Sequence, residues 1–511
     1  MYGRVTGVTL VGIQGHPVVV EASVGRGLPA LCLTGLPGAS VQDARERVRP
    51  AVESAGLEWP LRRVVVNLSP VDLRKDGPGL DLPIALSVLA ASGAFPKEKL
   101  DRFAFAGELS LEGTLMPTPG ILAVALSAWH AGLAGVVVPR ANAPEAALVE
   151  GLEVIGANTL AEVVAFLRGS AESGPVVVTE SERADPPAGA DLAEVRGQAQ
   201  ARRALEVAAA GGHNVLMVGS PGAGKTMLAR RLPTILPSLS REEALEVTQM
   251  HSVAGVLGEA ALVKARPFRA PHHTVSPAGL LGGGSGLPRP GEVSLAHHGV
   301  LFLDEVAEFR RDALEGLRQP LEDGRVVVTR AAGSIAFPAR FTLVAAANPC
   351  PCGFEGDPRR PCRCLPARAQ AYRQKLSGPL VDRIDIRLTV PRLSPSELLG
   401  ESDGEASPSV RARVEESRER QRRRYAGTGV TCNARVAGPR ARREARLDAA
   451  AEDLLTRAVE RYELTGRGFD RVLKVSRTIA DLAGAEAVGV AHLAEALSYR
   501  PASDAELVRV G

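Results

Sequence analysis

Short apolar runs alternate with helix-like stretches over the first 168 residues. The runs VVVEASV, RRVVVNLSP and GVVVPR have the length and the β-branched content of strands, whereas residues 41–55 and 81–91 carry helical patterns. This alternation predicts a self-contained α/β or α+β domain over residues 1–168. The next segment, GSAESGPVVVTESERADPPAGA, is rich in Gly, Ser, Pro and acidic residues and predicts a linker at residues 169–190.

The second half of the chain has a different pattern. From Asp191 a helical run leads into the apolar strand NVLMVG, the turn SPGAGKT and another helix, and α/β alternation continues to Val390. From Ser394 onward the chain is rich in Arg, Glu and Ala and almost without strand patterns. We therefore expect an α/β core over residues 191–391 and a helical lid over residues 392–511.

Composition and charge narrow the functional classes. The N-terminus has no basic segment followed by an apolar one, and no run reaches the roughly 18 apolar residues that a membrane span needs. These features predict a soluble, non-secreted, cytoplasmic protein with no membrane partner. The formal net charge is only +3, but residues 411–446 contain 12 Arg against 4 Glu. A polyanionic partner is therefore expected to bind the C-terminal half.

One glycine-rich turn matches the phosphate-loop pattern GxxxxGK[ST]. It comprises Gly219, Ser220, Pro221, Gly222, Ala223, Gly224, Lys225 and Thr226. The glycines let backbone N–H groups converge on phosphate oxygens, and the following helix directs its positive dipole end at them. Lys225 is expected to reach the β- and γ-phosphates, and Thr226 to bind Mg²⁺. The turn therefore predicts an ATP site.

Two further strands end in polar residues. The strand GVLFL leads into Asp304 and Glu305; the first acid suits Mg²⁺ binding, and the second suits orientation of the attacking water. This pair predicts hydrolysis as well as binding of ATP. The strand FTLVAAA ends at Asn348, which is expected at the same sheet edge as Asp304, where it could sense the γ-phosphate.

Four of the six cysteines lie in one short segment. Cys350, Cys352, Cys362 and Cys364 form two C-x-C pairs, a set of thiolates that suits tetrahedral Zn²⁺. Reduced free thiols or a redox pair are the alternative. The adjacent histidines His272–His273 and His297–His298 are interpreted as polar loop residues.

Together with the phosphate loop, several longer motifs resemble the magnesium-chelatase-like AAA+ ATPases, and most closely the YifB/ComM family. They include RGLPALCLTGLPGASVQDARERVRPAVESAG, RRVVVNLSPVDLRKDGPGLDLPIAL, RPFRAPHHTVSPAGLLGGG, NPCPCG, LVDRIDI and KVSRTIADLAG, and they span nearly the full chain. The resemblance implies an AAA+ P-loop core with a helical lid, and a ring, usually a hexamer, with ATP sites between subunits. It also implies a DNA helicase that promotes branch migration during natural transformation.

The resemblance also assigns individual residues. Arg383 corresponds to the arginine finger that enters the neighbouring subunit's site, and Arg477 resembles the sensor-2 arginine of the lid. A glycine-rich tip at residues 282–286 would belong to an insert after the second helix. The hairpin RVVVTR-AAGS-IAFP would face the ring pore, with Arg325 and Arg330 as candidate phosphate contacts.

The N-terminal domain resembles the Lon-protease-like (ribosomal-S5-like) α+β fold. Gly79 stands where the protease pattern has its nucleophilic serine, and Val124 falls at the position of the general-base lysine. Without that dyad the domain is expected to be a scaffold, or a module that contacts DNA or a partner.

Two other functions remain open at this stage. The chain could be the motor subunit of a chelatase that inserts Mg²⁺ into a tetrapyrrole, although such subunits lack a Lon-like front domain. It could also be an ATP-dependent assembly chaperone. Stimulation of the ATPase by DNA would favour the DNA motor over both.

Overall fold

The computed structural model describes residues 2–170, 190–258, 260–284, 288–330, 333–357, 359–375, 380–400 and 404–500. Two sheets organise this part of the chain, one of seven strands before residue 160 and one of five strands after residue 214. The predicted linker at residues 169–190 lies almost wholly outside the described residues, as do parts of two predicted hairpin tips, residues 285–287 and 331–332. Within the described ranges, no helix is long and apolar enough to cross a bilayer.

The N-terminal domain is an α/β layer built on a mixed sheet with strand order β3-β4-β2-β1-β5-β8-β9. Its strands are β1 (Tyr2–Val11), β2 (Gln14–Val24), β3 (Ala30–Thr34), β4 (Arg63–Ser69), β5 (Phe103–Phe105), β6 (Glu108–Leu109), β7 (Leu115–Met116), β8 (Gly135–Pro139) and β9 (Glu153–Ala157). Its helices are α1 (Ala39–Gln42), α2 (Ala44–Ser54), α3 (Asp81–Ser92), α4 (Ile121–His130), α5 (Ala143–Ala146) and α6 (Leu160–Arg168). Gly79 lies in a short 3₁₀ turn, and Val124 is buried in α4.

The central domain is built on a parallel sheet with strand order β11-β14-β17-β10-β18. Every residue of its three middle strands is buried, as expected for a parallel sheet covered on both faces. The strands of the domain are β10 (Val215–Val218), β11 (Phe268–Arg269), β12 (Gly282–Gly283), β13 (Arg289–Pro290), β14 (Val300–Leu303), β15 (Arg325–Arg330), β16 (Gly333–Pro338), β17 (Thr342–Ala347) and β18 (Ile386–Thr389). Its helices are α7 (Ala199–Gly211), α8 (Lys225–Ile235), α9 (Arg241–Val253), α10 (Pro277–Leu281), α11 (Glu292–Leu295), α12 (Arg311–Gly316), α13 (Arg318–Asp323) and α14 (Pro366–Lys375).

Two hairpins extend from this core. Strands β12 and β13 pair next to the predicted glycine-rich tip, and β15 and β16 form the predicted hairpin ahead of β17. Arg325 and Arg330, the candidate phosphate contacts, are both exposed on β15. The structure therefore contains the second hairpin and exposes both arginines, whereas the position of the hairpin at a ring pore and the phosphate contacts stay predictions.

The C-terminal region is helical, as predicted. Its helices are α15 (Pro395–Leu399), α16 (Ser407–Arg424), α17 (Gly438–Ala445), α18 (Ala449–Arg461), α19 (Gly466–Leu482) and α20 (Val490–Ser498). Apolar residues of α16, α18, α19 and α20 share one buried cluster with α7, α8 and the central sheet. The lid is thereby packed onto one face of the core.

The N-terminal domain packs against α9 of the core. The Gln249 side chain donates to the carbonyl of Ile13 at 2.7 Å, and the backbone N–H of Gly120 donates to the Ser252 hydroxyl at 2.9 Å. That hydroxyl donates in turn to the buried carboxylate of Glu145. Buried polar bonds of this kind fix the relative orientation of two surfaces more strictly than apolar packing does.

Candidate nucleotide-binding site

The phosphate loop connects β10 to α8 and closes around the side chain of Lys225. Gly222 and Gly224 have φ values of +79° and +95°, in the left-handed region that favours glycine. The Lys225 ammonium donates to the carbonyls of Gly219 at 2.6 Å and Ser220 at 3.2 Å. Burial lowers the pKa of Lys225, against the opposing pull of the acids that follow β14.

Two carboxylates after β14 have different environments. The Thr226 hydroxyl donates to Asp304 Oδ2 at 2.7 Å, so the two predicted Mg²⁺ ligands lie side by side. Glu305 has a φ of +50°, and its side chain is 55% exposed. Glu305 therefore combines a backbone conformation that is uncommon for residues other than glycine with a carboxylate that is open to solvent.

Asn348 joins this group from the neighbouring strand. It follows β17, which pairs in parallel with β10, so both strands end at the same edge of the sheet. Its side-chain oxygen accepts from the Lys225 ammonium at 3.1 Å. The structure therefore brings Lys225, Thr226, Asp304 and Asn348 together as the sequence predicts.

The four cysteines of the C-x-C pairs converge on one point. Their sulfur atoms all lie within 4.8 Å of one another, with three separations of 3.4 to 3.6 Å. A tetrahedral Zn²⁺ with Zn–S bonds of about 2.3 Å requires sulfurs about 3.8 Å apart. The donor set and its dimensions therefore fit zinc, and Cys350, Cys352, Cys362 and Cys364 would hold it.

The cysteine loop, defined here as residues 350–364, packs directly on the phosphate loop. A Cβ atom on Gly353 would lie 2.6 Å from the Pro221 ring, so the two loops are in close contact there. Asp357 Oδ1 accepts from the backbone N–H groups of Arg359 and Arg360, and these bonds, with the nearby Ser220, lower the pKa of the Asp357 carboxyl. Asn348 lies two residues before Cys350. A loop held by the cysteines therefore also holds the Asn348 amide that accepts from Lys225.

Arg383 lies away from the phosphate loop of its own chain. Its backbone carbonyl accepts from Asn214, which precedes β10, so Arg383 belongs to the amino edge of the sheet. Its guanidinium pairs with Glu322, and its side chain is 9% exposed. The structure does not bring Arg383 into its own nucleotide site, and its trans-acting role stays a prediction.

Arg477 is buried inside the lid. Its guanidinium donates hydrogen bonds to the carbonyls of Ala485 and Glu486 and forms an ion pair with Asp481. The residue is 2% exposed. The next residue, Thr478, contacts His213 beyond the carboxyl end of α7, whereas the amino end of α7 adjoins the phosphate loop. Helix α7 has 13 residues and is therefore about 20 Å long. In this conformation Arg477 does not reach the site, and its sensor-2 role stays a prediction.

Two residues of the site escaped prediction. His273 Nδ1 lies 3.8 Å from Glu305 Oε2, and Gln198 Nε2 donates to the carbonyls of Ala223 and Pro391 at 3.4 and 2.6 Å. His273 follows β11 as Asn348 follows β17, but β11 has only two residues, too few for the sequence pattern to indicate a strand. The other pair lies in a turn, where His297 is buried and His298 is partly buried, and both rings bond Glu246.

Comparisons with known proteins agree with this geometry. The family model "Magnesium chelatase, subunit ChlI" matches residues 191–398, "Subunit ChlI of Mg-chelatase" matches residues 20–142, and "Magnesium chelatase, subunit ChlI C-terminal" matches residues 404–500. An uncharacterized protein of Mycobacterium tuberculosis is 48% identical, with 98% of each chain covered.

Two of the similar proteins carry family names. Competence protein ComM of Haemophilus influenzae is 42% identical over 96% of this chain and 95% of its own length. YifB of Escherichia coli is 41% identical with the same coverage.

The N-terminal part has a second, partial relationship. Lon protease of Salinispora arenicola is 30% identical over 32% of this chain and 22% of its own length. The magnesium-chelatase matches imply an ATPase that uses ATP and Mg²⁺. The chain belongs to the YifB/ComM family of magnesium-chelatase-like AAA+ ATPases, with a Lon-protease-like region ahead of its P-loop core.

Proposed function

We propose that this protein is an ATP-driven, ring-shaped DNA motor, a helicase that promotes branch migration during recombination or natural transformation. The observation that carries the proposal is the similarity to competence protein ComM over 96% of this chain, combined with a phosphate loop whose Lys225 and Thr226 contact Asn348 and Asp304. The arginine-rich segment 411–446 adds a surface suited to a polyanion.

The residues of the phosphate loop and its neighbours have separate roles in ATP binding and hydrolysis. The backbone N–H groups of residues 222–226 and the Lys225 ammonium bind the phosphates, and Thr226 and Asp304 would hold Mg²⁺, which supplies positive charge at the phosphates when bound. Glu305 orients the attacking water, and Asn348 positions the Lys225 ammonium. The hydrogen bonds of Lys225 with Asn348, at 3.1 Å, and of Thr226 with Asp304, at 2.7 Å, support these roles because they hold the side chains close to one another at the phosphate loop.

Ring assembly completes the site. The position of Arg383 at the opposite sheet edge suits a finger that serves the neighbouring subunit of a hexamer. Arg477 would serve as sensor 2 only after a rearrangement of the lid frees its guanidinium.

The test is the steady-state ATPase rate with single-stranded, duplex and four-way-junction DNA. The proposal predicts stimulation, greatest with the branched substrate. The matches to chelatase subunit ChlI favour one rival, the motor of a metal-inserting enzyme. ATPase activity that ignores every DNA, yet responds to a second chelatase-type subunit, would favour that rival.

His273 is expected to hold the Glu305 carboxylate in its working orientation. A partly exposed pair of this kind contributes up to about 1 kcal/mol, so His273→Ala should lower kcat roughly fivefold and leave ATP affinity unchanged. The comparison variant is His272→Ala: His272 is exposed, its ring centroid lies 4.1 Å from that of His273, and its Nδ1 bonds Thr274 rather than Glu305. Equal ATPase rates for the two variants would remove His273 from the site.

Zinc is expected at the four cysteines of the cysteine loop. Purified protein should contain about one zinc per chain, and Cys352→Ser should lose the metal and bind ATP more weakly, since the cysteine loop supports Pro221 and Asn348. Cys32→Ser, in β3 of the N-terminal domain, is the matched control and should retain zinc. Metal analysis and nucleotide titration measure both effects. A zinc-free protein with normal ATP affinity contradicts the assignment.

A further inference from the structure

A cavity of about 660 Å³ lies between the core and the lid. Gly299 and Thr342, at the amino ends of β14 and β17, line one side, and Arg418 of α16 and Cys432 line the other. These strand ends are opposite to the edge that carries the phosphate loop. The volume falls within the roughly 300–1,000 Å³ typical of small-molecule sites, so the cavity could hold a ligand independently of the nucleotide site.

Five arginines line this cavity, and two of them have acidic partners. Arg266 pairs with Glu243 at 2.8 Å, and Arg422 pairs with Glu419 at 3.0 Å. The other three are Arg340, Arg418 and Arg435. The cavity therefore contains positive charge beyond what local ion pairs neutralise.

The three remaining arginines have no carboxylate partner within the described part of the chain. Arg418 donates to the carbonyl of Ala209 at 3.0 and 3.2 Å, which satisfies its N–H groups without cancelling its charge. The side chains of Arg340 and Arg435 have neither a hydrogen bond nor an ion pair among the described residues. Grouped guanidinium charges of this kind repel one another until an anion binds between them.

Three of the four acidic residues that line the cavity have partners, and the fourth, Glu242, is an exposed carboxylate in the first turn of α9. Glu243 is bonded to Arg266, Glu246 accepts from the rings of His297 and His298, and Glu415 faces Ser238. His297 Nδ1 accepts from a backbone N–H, so its Nε2 carries the proton and donates to Glu246. This arrangement gives Glu246 a partner and leaves no free ring nitrogen on His297 to bind a metal ion.

Electrostatic effects inside the cavity agree with a positive potential. The crowded surroundings of Arg435 and the charges of Arg418 and Arg340 lower the pKa of its guanidinium, although the residue keeps access to solvent. Burial alone would raise the pKa of the Cys432 thiol, yet the charges of Arg418 and Arg435 hold it below its usual value. An anion in the cavity would meet the same potential that stabilises the Cys432 thiolate.

We propose that this cavity is a second phosphate-binding site, in which Arg340, Arg418 and Arg435 bind a ligand that carries at least two phosphate groups. The three guanidinium groups carry more positive charge than a single carboxylate would neutralise. The planar fork of arginine also matches the arrangement of phosphate oxygens. Arg340 belongs to the core and the other two belong to the lid, so the ligand links these two parts. The phosphates can come from a nucleic-acid backbone or from a free phosphorylated molecule, and the site does not depend on the proposed DNA activity.

The test uses full-length Lys225→Ala protein, in which the phosphate loop lacks its ammonium, and pyrophosphate as the probe in calorimetric titrations. Arg340→Ala and Arg435→Ala should each weaken pyrophosphate binding roughly tenfold, the usual effect of losing one charged hydrogen-bond donor. Arg443→Ala, which removes an exposed arginine of α17 outside the cavity, should change nothing. Arg435→Lys keeps the charge but loses the planar fork, so it should weaken pyrophosphate binding less than Arg435→Ala does.

A competition experiment identifies the source of the phosphates. If a single-stranded oligonucleotide displaces pyrophosphate in an Arg340- and Arg435-dependent way, the site binds a nucleic-acid backbone; if it does not, the site binds a free phosphorylated molecule. The proposal is overturned if pyrophosphate fails to bind. It is also overturned if the Arg340→Ala, Arg435→Ala double variant melts like the parent and binds pyrophosphate equally well. Neither result bears on DNA-stimulated ATPase activity, which tests the proposed function separately.

Discussion

Glu305→Gln protein should bind ATP with parental affinity and hydrolyse it roughly 10²- to 10⁴-fold more slowly, the usual contribution of a group that directs proton transfer. The amide keeps the size of the side chain but cannot orient and activate the attacking water. The Thr226–Asp304 pair and the Lys225 ammonium are untouched, so the phosphate contacts persist. Single-turnover hydrolysis and nucleotide titration separate the two effects.

Two comparisons make this result specific. Glu308→Gln changes an exposed acid three residues further on and should leave hydrolysis near the parental rate. Lys225→Ala should differ from Glu305→Gln by losing ATP binding itself, because the ammonium is a direct phosphate contact. Parental hydrolysis by the Glu305→Gln protein would show that another group orients the water.

Arg383→Ala protein should also keep its ATP affinity and lose hydrolysis, by about 10³-fold or more, because a finger acts only on charge that develops in the transition state. The loss should be repaired in trans. When Arg383→Ala chains are mixed with Glu305→Gln chains, some interfaces combine an intact Glu305 with an intact Arg383 from the neighbour. We therefore expect the mixture to regain ATPase activity that neither variant has alone.

The control for this experiment is Arg467→Ala. Arg467 also approaches Glu322, at 3.5 Å, and is more exposed than Arg383, so Arg467→Ala reports the effect of removing a cation from Glu322 while Arg383 stays in place. Its ATPase rate should stay near the parental value. Mixed rings that form but recover no activity would mean that Arg383 does not act across the subunit interface.

The strand ends were predictable from sequence because the chemistry there is local. An apolar strand followed by GSPGAGKT, by Asp304 or by Asn348 defines both the element and its polar end, and parallel pairing brings these ends together. His273 follows the same rule but comes after a strand of only two residues, Phe268–Arg269, whose pattern is too short to detect.

The contacts that side chains and loops make with segments distant in sequence were less predictable from the sequence. The family motif locates Arg477 in the lid, but its burial depends on carbonyls of residues 485 and 486, beyond the end of its helix. The spacing of the cysteines predicts that their sulfurs converge, yet it does not indicate that Gly353 packs on Pro221. Contacts of both kinds arise between segments that are distant in sequence, where local patterns carry no information.

The most direct test of the proposed function is branch migration of a four-way DNA junction, followed by gel separation of its products. The proposal predicts that the protein converts the junction to product in the presence of ATP and Mg²⁺, and that Glu305→Gln protein binds the junction without converting it. A protein that hydrolyses ATP at full rate, binds the junction and leaves it unchanged would contradict the proposed DNA motor.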